Sequence, residues 1–82
     1  MNGDLKVVYQ DTAKYHKIKM AVKLLRFSDE SYTIELVRSH PENCRNWIYP
    51  KTREQAHRIF SDIIHALDNL ETVFNNQERK TT

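Results

Sequence analysis

Residues 52–74, T-R-E-Q-A-H-R-I-F-S-D-I-I-H-A-L-D-N-L-E-T-V-F, decide the fold because they form the longest helical pattern in the chain. Apolar residues recur along this stretch at the three- and four-residue spacing of one helix face. They are Ala56, Ile59, Phe60, Ile63, Ala66, Leu67, Leu70, Val73 and Phe74. Ile64 is the exception, because it falls among the polar positions. The pattern predicts an amphipathic helix that packs on a hydrophobic core.

Both ends of this helix carry sequence signals. Thr52 and Gln55 have the spacing of a capping box, in which each side chain bonds a free backbone amide of the first turn. Pro50 precedes them, at a position that a helix does not yet occupy. At the other end, Asn75 and Asn76 can adopt the left-handed conformation that closes a helix in the absence of glycine. We therefore expect the helix to end there and residues 77–82 to form a disordered tail.

Composition limits the chain to one small domain and excludes several kinds of site. A chain of 82 residues has room for a single core. Its single glycine, Gly3, excludes the glycine-rich loops that bind nucleotide phosphates. The single cysteine cannot form an internal disulfide, no apolar run is long enough to span a membrane, and the start M-N-G-D is unlike a signal peptide. These features favour a cytoplasmic protein without a membrane partner.

The first half of the chain reads as short strands that alternate apolar and polar residues. The predicted strands are 5–10, 15–27 and 31–39, and 47–49 is a short strand or an extended segment. Turns are expected at 11–14 and 28–30. The predicted fold class is α+β: an antiparallel meander of three to four strands, β-β-β-(β)-α, with the helix packed on one face. Residues 1–4 are expected to be a flexible N-terminus and residues 5–76 a single domain.

The helix is slightly too long for the sheet that it covers. About 22 residues of helix span roughly 33 Å, whereas a nine-residue strand covers about 30 Å at best. Val73 and Phe74 are therefore expected to extend past the sheet, and Ile64 to lie on the outer face. We predict that Ile64, Val73 and Phe74 form a protein interface, that the chain is a homodimer, and that it acts by protein–protein interaction. Its size suits an accessory or inhibitory protein of a bacterium or phage.

An alternative function follows from the basic residues of the second predicted strand. Five cations occur between positions 14 and 26 without an acidic residue: Lys14, Lys17, Lys19, Lys23 and Arg26. They could bind nucleic-acid phosphates, with Arg38, Arg45, Arg53 or Arg58 at the edge. They could equally form the exposed face of a one-sided sheet, with Lys19 or Lys23 paired across to Glu35. A net charge of only +2 weakens the nucleic-acid hypothesis.

The order of elements resembles that of sheet-reading DNA-binding domains of the plant AP2 type and of integrase arm-binding domains. The resemblance lies in an aromatic strand end, Trp47-Ile48-Tyr49, that leads into the threonine-started helix Thr52-Arg53-Glu54-Gln55-Ala56. The end of the chain is also similar to the double-stranded-RNA-binding fold. The glycines usual in the turns of these domains are missing here. The resemblance implies binding of nucleic acid by the sheet.

No residue pattern indicates catalysis, so we predict a non-enzymatic protein without cofactor or metal. Cys44 and His40 share one short loop but lack a plausible pocket. Adding His16 or His57 does not produce the paired spacing of a zinc site. Tyr32, Trp47 and Tyr49 are interpreted as anchors of the core beneath the helix rather than as binding aromatics.

Overall fold

The protein folds as a four-stranded antiparallel sheet followed by one long helix, as seen in a computed structural model that describes residues 5–39 and 42–80. The elements are β1 (Val7–Tyr15), β2 (Met20–Phe27), β3 (Tyr32–Arg38), β4 (Cys44–Ile48) and α1 (Arg53–Lys80). Strand order in the sheet is β1-β2-β3-β4, so every strand pairs with its neighbour in sequence. The predicted α+β meander with a C-terminal helix is confirmed. The expected N-terminal segment 1–4 and residues 40, 41, 81 and 82 lie outside the described residues.

Cross-strand register divides the sheet into a covered and an open face. Val22 pairs with Leu36, and Leu24 pairs with Ile34, all on the side that faces α1. Val22, Leu24 and Ile34 are the largest fully buried side chains. The helix closes this core with three buried residues of its own, Ala56, Phe60 and Leu67. Full burial of one such aliphatic or aromatic side chain stabilises the fold by about 1.5–3 kcal/mol, so this layer holds helix and sheet together.

The helix covers only part of the sheet. Within the described residues, α1 approaches β1, β2 and β3 but not β4. The strand β4 is joined to the domain by its pairing with β3 and by Ile48, which packs partly against the core. One edge of the sheet is therefore held mainly by backbone hydrogen bonds.

The first hairpin turns five residues later than the sequence suggested. The predicted turn at 11–14 is wrong, because Asp11 pairs with Leu24 inside β1 and the chain reverses at 16–19. Lys19 closes the turn with a positive φ of 58° and accepts a 2.9 Å hydrogen bond from the Ser39 amide. Burial of Tyr15 explains the position of the turn. With the turn at 16–19, the Tyr15 ring lies on the covered face and is buried in the core. Tertiary burial outweighs the local turn preference of Asp11.

The second hairpin turns at 28–30, as predicted. The Glu30 amide donates to the Phe27 carbonyl, the Phe27 amide donates to the Ser31 carbonyl, and Glu30 has a φ of 70°. This is the three-residue loop in which a left-handed residue follows a tight turn. The Asp29 carboxylate accepts hydrogen bonds from the hydroxyl and the amide of Ser31, and these bonds hold the pKa of Asp29 below its ordinary value.

At the start of α1, Thr52 caps the helix as predicted, but Gln55 reaches back to the amide of Lys51 and not to that of Thr52. At the end of α1, the predicted boundary is wrong. The Gln55 amide donates to Thr52 Oγ1 at 3.0 Å, and Gln55 Oε1 accepts from the Lys51 amide at 2.7 Å. The helix does not end at Asn75 and Asn76 but continues to Lys80, so residues 77–80 belong to it and not to a tail. Asparagine costs a helix interior less than about 1 kcal/mol, and the good helix formers Q-E-R-K follow without glycine or proline.

Candidate interaction surfaces

The C-terminal part of α1 extends beyond the sheet. Its 28 residues span about 42 Å at 1.5 Å per residue. The end of the sheet is marked by the 16–19 turn, where the Lys17 amide donates to both oxygens of the Glu71 carboxylate at 3.2 and 3.3 Å. The helix continues for nine residues after Glu71, to Lys80.

The apolar stripe continues into this projecting part. Leu70, Val73 and Phe74 are 47%, 50% and 43% exposed. The structure thus leaves the predicted interface residues Val73 and Phe74 accessible, and it adds Leu70, which the sequence indicated only as a stripe residue. We call Leu70, Val73 and Phe74 the helix-end patch.

Ile64 does not belong to this patch, and its expected position on the outer face is wrong. It is half-buried and packs against the core, while Ala66, which was assigned to the apolar stripe, is exposed. The Tyr15 hydroxyl also reaches the Ile64 carbonyl, at 3.5 Å. The buried stripe is therefore rotated toward Ile64, because β1 supplies the bulky Tyr15 on that side of the helix.

Tyr15 links the sheet to the middle of the helix. Its burial, a hydrogen bond to Asp68 and the negative charges of Asp68 and Glu71 raise the pKa of its phenol above the ordinary 10.0. All of these effects favour the neutral phenol. Tyr15 thus serves as a structural tie near the base of the helix-end patch.

The open face of the sheet is the second candidate surface, and it contains fewer of the predicted basic residues than expected. Lys17 and Lys19 lie in the 16–19 turn, so their placement on a shared strand face is wrong. Lys14 and Lys23 do lie on the open face, where they pair with Ala21 and Thr12. Arg26 pairs with Tyr9 and Tyr32 on the other face, at the end where α1 begins.

An ion-pair cluster occupies the centre of the open face. Glu35 Oε1 lies 3.9 Å from Lys23 Nζ, and Glu35 Oε2 lies 3.6 Å from Arg45 Nη1. The predicted Lys23–Glu35 cross-strand pair is confirmed, and Arg45 on β4 extends it. Because the Glu35 side chain is only 12% exposed, its carboxylate neutralises part of the positive charge of this face from within the sheet.

Aromatic and apolar side chains surround this cluster. Trp47 pairs with Glu35 and is 50% exposed on the open face, and Tyr49 is exposed as well. The interpretation of Trp47 and Tyr49 as core anchors is therefore wrong, whereas Tyr32 is buried as expected. The register assigns Trp47 to this face, because its partner Glu35 points away from the helix. The half-buried Leu25, Phe27 and Val37 lie on the same side.

Other potential ligands remain apart. Cys44 is exposed on β4 and pairs with Arg38, and His40 lies outside the described residues. His57 and His65 are both exposed on α1. In the described part of the chain, no three His, Cys, Asp or Glu side chains are grouped as a metal site would require.

Comparison with known proteins does not assign the chain to a family. No model of a known protein family matches it, and neither the curated proteins nor the solved structures contain a match. The likeness to sheet-reading DNA-binding domains therefore remains one of element order. In ranges 5–39 and 42–80, no helix combines the length and the apolar character needed to cross a bilayer.

Proposed function

We propose that this chain is a non-enzymatic protein-binding module that forms a homodimer through the helix-end patch. The observation that carries the proposal is the continuation of the apolar stripe past the sheet, where Leu70, Val73 and Phe74 are about half-exposed. A helix that served only to close the core would not need exposed apolar residues beyond Glu71, where it hydrogen-bonds to the 16–19 turn. This one carries two more apolar residues on its stripe.

A second copy is the partner that the patch suits best. In an antiparallel pairing centred near position 72, Leu70 of one helix lies opposite Phe74 of the other, so the same patch covers itself across a two-fold axis. A domain of this size also leaves much of its apolar surface exposed and gains from association.

The apolar area of the helix-end patch allows an estimate of the free energy of dimerisation. Burying the exposed half of each patch residue contributes roughly 1 kcal/mol, or about 6 kcal/mol for the three residues of two chains. Association costs an estimated 4–15 kcal/mol in lost freedom of motion. The patch alone is therefore marginal, and polar contacts along the helix must add to it. A dissociation constant in the micromolar range corresponds to about 8 kcal/mol, so contacts other than the patch must supply most of the binding free energy.

The test is sedimentation velocity over a concentration series. The wild-type chain should change from 9.8 kDa to twice that mass as the concentration rises through the micromolar range. Phe74→Asp should remain monomeric at every concentration. Tyr49→Asp is the matched control, because Tyr49 is even more exposed but lies away from the patch. A wild-type chain that is monomeric throughout, or a Tyr49→Asp variant that dissociates as readily as Phe74→Asp, would refute the proposal.

The second candidate is binding of single-stranded nucleic acid by the open face. It is favoured by one observation: the half-exposed Trp47 shares the open face with Arg45 on its own strand, with Lys23 two strands away and with Lys14 three strands away. Exposed aromatic rings stack on bases while neighbouring cations contact phosphates. The partial neutralisation of Lys23 and Arg45 by Glu35 argues for weak affinity.

This candidate has a direct assay, since Trp47 is the only tryptophan in the sequence. Its fluorescence should be quenched by an oligothymidylate at about 50 mM salt, and the quenching should disappear as salt is raised. Arg45→Gln should weaken binding, whereas Arg58→Gln, on the helix, should not. An unchanged emission spectrum at low salt would eliminate the candidate.

A further inference from the structure

A small cleft lies between the start of α1 and the end of the sheet that is farthest from the 16–19 turn. Its volume is about 230 Å³, and it is lined by Tyr9, Arg26, Tyr32, Arg53 and His57. The sheet residues form one row across three strands, because Arg26 pairs with Tyr9 on one side and with Tyr32 on the other. The helix residues are four positions apart, so they lie on the same side of α1. The sequence did not predict this row, because the predicted turn at 11–14 gave β1 the wrong end and therefore the wrong pairing with β2.

Tyr32 is the unusual member of this set. Its side chain is buried, with 9% of the residue exposed, and its ring meets His57 edge-on at a centroid distance of 6.0 Å. The Tyr32 hydroxyl makes no hydrogen bond to another described residue. It is not sealed in the core either, because no side-chain nitrogen or oxygen of the described residues is buried without a partner. The hydroxyl is therefore accessible, and since Tyr32 lines the cleft it is available as a donor to a ligand there.

The other lining groups give the cleft a positive charge. Arg26 and Arg53 make no ion pair with another residue of the described part of the chain, and no carboxylate lines the cleft. The nearest acids along the sequence, Asp11, Asp29, Glu30 and Glu54, are not among the lining residues. Two unpaired guanidinium groups, a phenol donor and an imidazole form a donor set that matches an oxyanion, since guanidinium binds phosphate and carboxylate oxygens in pairs.

We propose that this cleft binds a phosphate-type oxyanion. Its volume is below the roughly 300–1,000 Å³ of pockets that enclose whole small molecules. The cleft therefore suits a single phosphoryl group, either free phosphate or the end of a phosphomonoester. Tyr32 donates from the floor, and Arg26 and Arg53 hold the group from the strand and the helix. The site is separate from the helix-end patch and does not depend on dimerisation.

The test is a titration of the full-length protein with inorganic phosphate, followed by amide and His57 ring chemical shifts in NMR. Sodium chloride at the same ionic strength is the reference. We expect saturable shifts with a dissociation constant on the order of 1 mM. Arg26→Gln and Arg53→Gln should each raise it roughly tenfold, as loss of a charge-assisted hydrogen bond would. A parallel titration with phenyl phosphate identifies the source: tighter binding than inorganic phosphate indicates a monoester, and equal binding indicates the free ion.

Two variants distinguish phosphate binding in the cleft from non-specific attraction of phosphate by positive surface charge. Tyr32→Phe keeps the buried ring and should weaken phosphate binding without lowering the melting temperature. Arg58→Gln removes the same charge from the same helix but outside the cleft, and it should leave binding unchanged. The proposal is overturned if phosphate shifts do not saturate, if chloride produces the same shifts, or if Arg58→Gln weakens binding as much as Arg53→Gln.

Discussion

Replacing Glu35 by glutamine should destabilise the domain, because two cations of the open face depend on its carboxylate. Lys23 and Arg45 contact opposite oxygens of Glu35 from the strands on either side, at 3.9 and 3.6 Å. Both cations are substantially exposed, so water and salt screen the attraction, and each pair contributes about 0.2–1 kcal/mol. The carboxylate itself is largely shielded, which places the two pairs together near 1 kcal/mol.

A loss of this size is measurable in a domain of this length. For 60–100 residues, 1 kcal/mol corresponds to about 4–8 °C in melting temperature. Thermal unfolding followed by circular dichroism should therefore show Glu35→Gln melting several degrees below the wild type at low salt. The difference should shrink at high salt, because screening already weakens the pairs. Glu30→Gln, which removes the same charge from the exposed 28–30 turn, is the matched control.

A double-mutant cycle isolates the interaction from other effects of the substitution. Glu35→Gln, Lys23→Met and the double variant should give a coupling energy of a few tenths of a kcal/mol. The same cycle with Arg45→Met should give a similar value. If the coupling is zero in both cycles, or if Glu35→Gln is as stable as Glu30→Gln at low salt, the cluster does not stabilise the sheet.

Three further predictions concern the rest of the fold. Thr52→Ala should lower the free energy of unfolding by about 1 kcal/mol through loss of the cap on the Gln55 amide; an unchanged urea midpoint would contradict this. Leu24→Ala should lower the free energy of unfolding by about 2–5 kcal/mol, a large share of the roughly 4–12 kcal/mol expected for a domain of this length. Leu25→Ala, on the open face, should lower it far less. Equal losses in urea titrations would show that the two faces are misassigned. Because the pKa of Tyr15 is raised, the wild type should keep its full stability below pH 10.0 and lose part of it as pH rises toward the folded-state pKa. Tyr15→Phe lacks this loss, so the gap in urea midpoints should narrow above pH 10; a constant gap would exclude the linkage.

The sequence was sufficient to predict an element of the fold where a single local pattern dominates. The apolar spacing of α1 predicted the helix, and Thr52 with Gln55 predicted its start, because capping depends on residues a few positions apart. The alternation of apolar and polar residues likewise predicted a strand at 31–39, which is β3 in the structure. These signals need no knowledge of distant contacts, and the α+β meander follows from them.

The failures occur where distant contacts decide between local alternatives. Asp11 looked like a turn residue, but burial of Tyr15 moved the turn and removed Lys17 and Lys19 from the sheet face. Ile64 was predicted on the outer face of the helix, but in the structure it packs against the core beside Tyr15. Trp47 looked like a core anchor because large aromatics usually are, yet one position in the β4 register places it on the open face. The cleft at Tyr32 depends on the same register.

The limited reach of α1 across the sheet has a consequence for how the domain opens. The strand β4 lacks the helix above it and has a free edge, so its hydrogen bonds to β3 should break without unfolding the rest. Amide hydrogen exchange would then be fastest in β4 among the strands, and slow in the paired centre of β2 and β3. Trp47 and Arg45 both lie on this strand. Trp47 and Arg45 are thus carried by the strand with the lowest expected local stability, and a ligand that contacts them would have to hold β4 closed as part of binding.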